Sequence, residues 1–95
     1  MIFTEKIKQL REHLNLPQRK VAEVLNIDSA TYCKIERGER KAKREQLPIL
    51  AECIKADLEE LLTLWLAAQI KNLVSDDNDK IAADAIKIVY NQYNI

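Results

Sequence analysis

The sequence predicts an all-α fold, and three observations carry that expectation. Its ninety-five residues include one glycine and two prolines, which leaves almost no turn-forming material for a sheet. Aliphatic residues recur at spacings of three and four, and no stretch alternates cleanly between apolar and polar as a half-buried strand would. Apolar residues make up 47% and charged residues 32% of the chain, the balance of a globular protein. Such a short chain fits one domain, near the low end of sizes at which a single core holds without staples.

The helices follow in order. Residues 4–14 read as a first helix: Thr4 is placed to cap it, Glu5 suits its positive start, and Ile7, Leu10 and Leu14 share a face with His13 on the outer side. Pro17 opens a second short helix through Leu25, with Val21, Ala22 and Leu25 inward, and Asn26 ends it. Asp28 or Ser29 caps a third, which turns Tyr32 and Ile35 inward and stops at Gly38, the residue best suited to a left-handed turn. A basic loop, ERKAKRE, leads to a fourth helix around 44–55 with Leu47, Leu50, Ala51 and Ile54 as its stripe and Pro48 in its first turn. Asp57 caps a fifth, whose apolar positions from Leu58 to Val74 are broader than one core-facing stripe requires. The cluster SDDNDK at 75–80 reads as a turn and cap before a last helix, 79–93, with Ala82, Ala85, Ile86, Val89 and Tyr93 on one face.

Charge narrows the function classes. Fifteen basic and fifteen acidic residues cancel, yet residues 1–56 hold twelve Lys or Arg against eight Asp or Glu, and residues 57–95 hold three against seven. A basic N-terminal part is what an electrostatic footprint on phosphate requires. Cys33, Cys53 and His13 are too few and too scattered for a metal site. Asp76, Asp77 and Asp79 do not make a calcium loop, because the bend lacks a glycine and the twelfth position from Asp77 is Ile88. The longest apolar run, LLTLWLAA, is too short to span a bilayer, and the N-terminus has no signal-peptide pattern. A cytoplasmic protein without cofactor, metal or membrane is expected. No nucleophile motif or Gly-rich phosphate loop points to an enzyme.

The stretch LPQRKVAEVLNIDSATYCKIERGER, preceded by IKQLREHL and followed by a basic loop, resembles the helix-turn-helix domain of the phage-repressor-like (Cro/C1, or Xre) family over roughly residues 5–64. The coordinated features are Gln18 opening the second helix, Ala22, Ile27 and above all IERG. The resemblance implies a five-helix lambda-repressor-like domain, residues 1–64, binding double-stranded DNA, with residues 65–95 as a helical extension of the same compact domain. Helix 3 would enter the major groove while helix 2 braces it. With Tyr32 and Ile35 inward, Ser29, Ala30, Thr31, Cys33 and Lys34 are the candidate base readers, and Lys34 is the only long donor among them. Gln18, Arg19, Arg37, Arg40, Lys41 and Lys43 match positions expected to contact phosphate, which positions the protein without reading sequence. Arg11 and Glu36 match positions that form an ion pair joining helix 1 to helix 3. Asp28, Glu39 and Tyr32 depart from the family's pattern: two put negative charge near the expected phosphate contacts, and the third alters the packing between helices 2 and 3.

In this family the fifth helix commonly pairs with its two-fold mate, which makes Leu62, Trp65, Leu66 and Ile70 the expected interface of a homodimer. The last helix has two open roles, completing the core or serving dimerisation. The leading expectation is a sequence-specific transcriptional regulator on an inverted repeat; small regulators of this pattern often accompany restriction-modification genes. The alternative is an antitoxin or accessory protein whose C-terminal helices bind a partner protein.

Overall fold

Six α-helices form among residues 2–93, which the computed structural model describes, and no strand forms among them. They are α1 (Phe3–His13), α2 (Gln18–Val24), α3 (Ser29–Glu36), α4 (Leu47–Ile54), α5 (Leu58–Leu73) and α6 (Asp79–Tyr90), with a 3-10 turn, Arg44–Gln46, leading into α4. Side-chain caps start three of them. Asp28 accepts from the Thr31 N–H at 2.7 Å, Asp57 from Glu60 at 2.9 Å and Asn78 from Ile81 at 2.9 Å, each satisfying a backbone donor that the helix cannot.

Three boundaries differ from the sequence expectation. Thr4 does not cap α1: the cap position is Ile2, which makes no side-chain bond, and the helix starts early because Phe3 is buried in the core. The fourth helix begins at Leu47 rather than 44. Pro48 has no N–H to offer the Arg44 carbonyl, and that carbonyl instead accepts from Leu47 in the tighter turn. The last helix ends at Tyr90, with Tyr93 beyond it.

Burial follows the expected stripes through α2, α3 and α4. Val21, Ala22 and Leu25, then Tyr32 and Ile35, then Leu47, Leu50, Ala51 and Ile54 are all buried, together with Phe3, Ile7, Ala42, Leu61 and Trp65. Helices α1 to α5 pack around this cluster, and α2 and α3 form the most extensive pair. Lys6 of α1 also pairs with Glu60 of α5 at 3.0 Å, a partly exposed pair that adds little.

Helix α6 stands outside this core. Ala82 is half-buried, and Ala85, Ile86, Val89 and Tyr93 are exposed, so no residue of the helix is buried. The Cα radius of gyration is 14.9 Å, against about 12 Å for a compact chain of this length. Between α6 and the end of α5 lies an open apolar groove of about 480 Å³ lined by residues such as Ile70, Leu73, Ile86 and Val89.

Tyr32 is the largest fully buried side chain, and its hydroxyl is buried without a hydrogen-bond partner. Burial, then the neighbouring Glu36 carboxylate, push its phenol well above the usual range, so it stays neutral. Removing an unbonded buried hydroxyl relieves a desolvation cost without losing a bond. Tyr32→Phe is therefore expected to leave stability within about 1 kcal/mol of the parent in urea or thermal unfolding. A larger loss would mean that the hydroxyl is bonded.

Candidate nucleic-acid interface

The α2–α3 pair is set by the turn between them. Asn26 adopts a left-handed conformation, φ 58°, which asparagine tolerates better than most residues. The Ile27 N–H then closes on the Ala22 carbonyl at 3.0 Å, and Asp28 starts α3. With Tyr32 and Ile35 fixed inward, the geometry of a helix leaves Ser29, Ala30 and Lys34 exposed and Thr31 and Cys33 half-buried at the flanks. This is a small-residue surface with one long cation.

A buried polar cluster braces the pair. Arg11 Nε donates to Glu36 Oε2 at 2.6 Å and Arg11 Nη2 to Glu36 Oε1 at 3.0 Å, a two-pronged pair with side chains only 10% and 2% exposed. The third guanidinium nitrogen, Nη1, donates to the Leu16 carbonyl at 2.7 Å, and Gln18 Nε2 donates to Glu36 Oε1 at 3.1 Å. One carboxylate thus ties α1, the start of α2 and the end of α3 together. Gln18, half-buried, spends one amide hydrogen in this cluster.

The cations after α3 are not equivalent. Gly38 turns the chain with φ 79°, and a Cβ there would meet only Thr4 Cγ2 at 3.7 Å, so its backbone conformation, not space, calls for glycine. The N–H groups of Glu39 and Arg40 fold back onto the Lys34 carbonyl at 2.9 and 3.3 Å. Arg37 is exposed but paired with Glu39, whereas Arg19, Lys34, Arg40 and Lys43 are exposed and enter no ion pair among the described residues. Lys41 Nζ donates to Gln69 Oε1 on α5 at 3.3 Å.

Four residues placed by the sequence on the dimer face separate in the structure. Leu66 and Ile70 are exposed and Leu62 is half-buried, but Trp65 is only 8% exposed and lies under the basic segment. Its Nε1–H donates to the Ala42 carbonyl at 2.8 Å, and Lys41 Nζ and the Arg44 guanidinium carbon lie 5.9 and 5.7 Å from its ring centre. Arg44 and Gln69 were not among the sequence candidates. Their link to the loop spans more than twenty residues, and no local pattern could have disclosed it.

Burial alone would raise the Glu36 carboxyl, but the bonds from Arg11, the nearby Tyr32 hydroxyl, the bond from Gln18 and the attraction of the guanidinium outweigh it and hold it below its ordinary value of 4.5. A depressed carboxylate stabilises the fold above its unfolded value and loses that stabilisation as pH falls through the folded one. Stability is therefore expected to decline below about pH 4.5, and Glu36→Gln should flatten that part of the profile in pH-resolved thermal unfolding. Glu36→Ala, which leaves Arg11 buried and unpaired, is expected to cost roughly 3–5 kcal/mol.

A family model described as helix-turn-helix matches residues 7–61, more than half of the chain, from within α1 to the first turn of α5. No curated protein and no solved structure matches the chain. The matched span contains the α2–α3 pair, the Arg11–Glu36 brace and the basic turn after α3, and no helix among the described residues is long and apolar enough to cross a membrane. On that match and this geometry, the chain belongs to the phage-repressor-like (Cro/C1, Xre) helix-turn-helix family of DNA-binding regulators.

Proposed function

We propose that this DNA-binding regulator acts as a cytoplasmic homodimer, reads an inverted-repeat operator with α3, and catalyses no reaction. The observation that carries the reading is the outward face of α3: Ser29, Ala30 and Lys34 stand exposed while Tyr32 and Ile35 are buried, and exposed cations lie in the first turn of α2, at Arg19, and beyond the end of α3, at Arg40 and Lys43. Thr31 and Cys33 extend the reading surface at its flanks. Lys34 is suited to guanine O6 or N7, Ser29 and Thr31 to either kind of edge, and Ala30 to a thymine methyl. Gln18, Arg19, Arg37, Arg40, Lys41 and Lys43 contact phosphates. A surface with one long reader gives modest discrimination per half-site, so two copies about 34 Å apart and the shape of the operator supply the rest.

The second copy docks on the far side of α5 and on α6. Leu66 and Ile70 are about half exposed and Leu73 is 82% exposed, and the apolar face of α6 continues this surface across the groove. Control of a restriction-modification or similar operon fits such a small regulator. The unpartnered α6 also favours a second reading, an antitoxin or accessory protein whose C-terminal helices hold a different protein. The two readings part on solution mass: a dimer supports the first, and a monomer with the groove free supports the second.

Selection of duplexes from a random pool, followed by gel shifts, tests the main reading, which fails if no sequence is preferred over random duplex at moderate salt. Lys34→Ala is expected to relax choice at one base pair, at a cost of about 1–3 kcal/mol on the preferred site. Lys43→Gln should weaken all duplexes alike and lower the slope of log affinity against log salt by about 0.9. Ile70→Glu should convert the dimer to a folded monomer by light scattering and abolish tight operator binding while leaving helix content unchanged.

A further inference from the structure

The basic segment between α3 and α4 has an anchor that the DNA-binding reading does not use. Arg40, Lys41, Lys43 and Arg44 lie within five residues, and like charges so close repel one another and loosen a loop unless it is held. Ala42, in their midst, is the one residue of residues 39–45 that is buried, and its carbonyl would be a buried acceptor without a partner were it not for the Trp65 indole N–H at 2.8 Å. The same ring lies within 6 Å of both Lys41 and Arg44, close enough for its negative face to attract cations. One turn further along α5, Gln69 accepts from Lys41 at 3.3 Å while its own amide donates to the Trp65 carbonyl at 3.4 Å.

We propose that Trp65, supported by Gln69, is a positioning residue for the phosphate-contacting segment: α5 holds residues 41–44 in the shape that meets the DNA backbone, without touching DNA itself. This rests on the reading of that segment as a phosphate contact. The loop is ordered before DNA arrives, so its conformational entropy is not lost on binding. The direction of the bond matters, because a phenyl ring, though smaller than the indole, keeps an aromatic face in the site but has no hydrogen to donate to the Ala42 carbonyl. Trp65 therefore governs affinity for any duplex alike, while the choice of bases stays with α3.

The test is Trp65→Phe in the full chain, measured in two ways. Without DNA, amide hydrogen exchange at Arg40 and Lys43 is expected to accelerate while that of α2 and α3 keeps its parent rate. With DNA, affinity for a selected operator and for random duplex should fall together, roughly five- to tenfold, the worth of one buried hydrogen bond, with their ratio unchanged. Should the variant fail to fold, benzothienylalanine at position 65 replaces it, since sulfur in place of the N–H keeps the ring's shape. Unchanged exchange at Arg40 and Lys43 overturns the proposal, as does unchanged duplex affinity in a variant whose loop has loosened, or a changed operator-to-random ratio. If the parent protein binds no duplex, the DNA reading of the segment fails, whereas the exchange rates still decide whether Trp65 holds the loop.

Discussion

The contact between Arg11 and Glu36 constrains more of this structure than any other single interaction, because it joins elements that the chain itself does not hold together. Helices of eight and seven residues, α3 and α2, are too short to be stable in isolation, and their orientation comes entirely from what they pack against. Two bonds from one guanidinium fix the end of α3 against α1, a third holds the loop carbonyl of Leu16, and Gln18 adds the start of α2 to the same carboxylate. Removing two charges from water opposes much of what such a pair contributes to stability. Its consequence here is geometric: a two-pronged bond between planar groups admits little rotation, and α3 inherits that rigidity.

Helix α5 has a comparable role on the opposite flank. Its first half, with Leu61, closes the core beneath α1 and α4, and its middle, with Trp65, holds the loop that follows α3. Beyond Gln69 it leaves the core altogether and shares an open apolar groove with α6. The breadth of its apolar surface thus serves two different sets of contacts in succession along one helix. The exposed aliphatic and tyrosine side chains on this part of the molecule form a patch of the kind that proteins cover with a partner, and the reading as a homodimer accounts for it without further assumptions.

Much of the helical domain was legible in the order of residues. The spacing of Val21, Ala22 and Leu25, of Tyr32 and Ile35, and of Leu47, Leu50, Ala51 and Ile54 marks buried stripes because a 3.6-residue period places those side chains on one face wherever the helix packs. Asp28 and Asp57 mark helix starts because a short acceptor beside free backbone N–H groups acts locally. Thr4 had the same chemistry and did not cap, since the burial of Phe3 drew the helix start outward and moved the cap two residues, to Ile2. The face of α6 was visible as a stripe, but its destination was not, because periodicity says that a face is apolar and nothing about what covers it.

The sequence by itself determined the all-α class, most of the helix stripes and the outward face of α3 at Ser29, Ala30 and Lys34, which depend on neighbours within a few residues, and the family resemblance, which rests on the order of such local features. Only the tertiary structure decided that Trp65 turns inward to the Ala42 carbonyl, that Lys41 is held by Gln69 while Arg40 and Lys43 enter no ion pair among the described residues, and that α6 stands away from the core. Those outcomes depend on contacts across more than twenty residues, where chain spacing no longer fixes distance and the competition between faces is settled by packing.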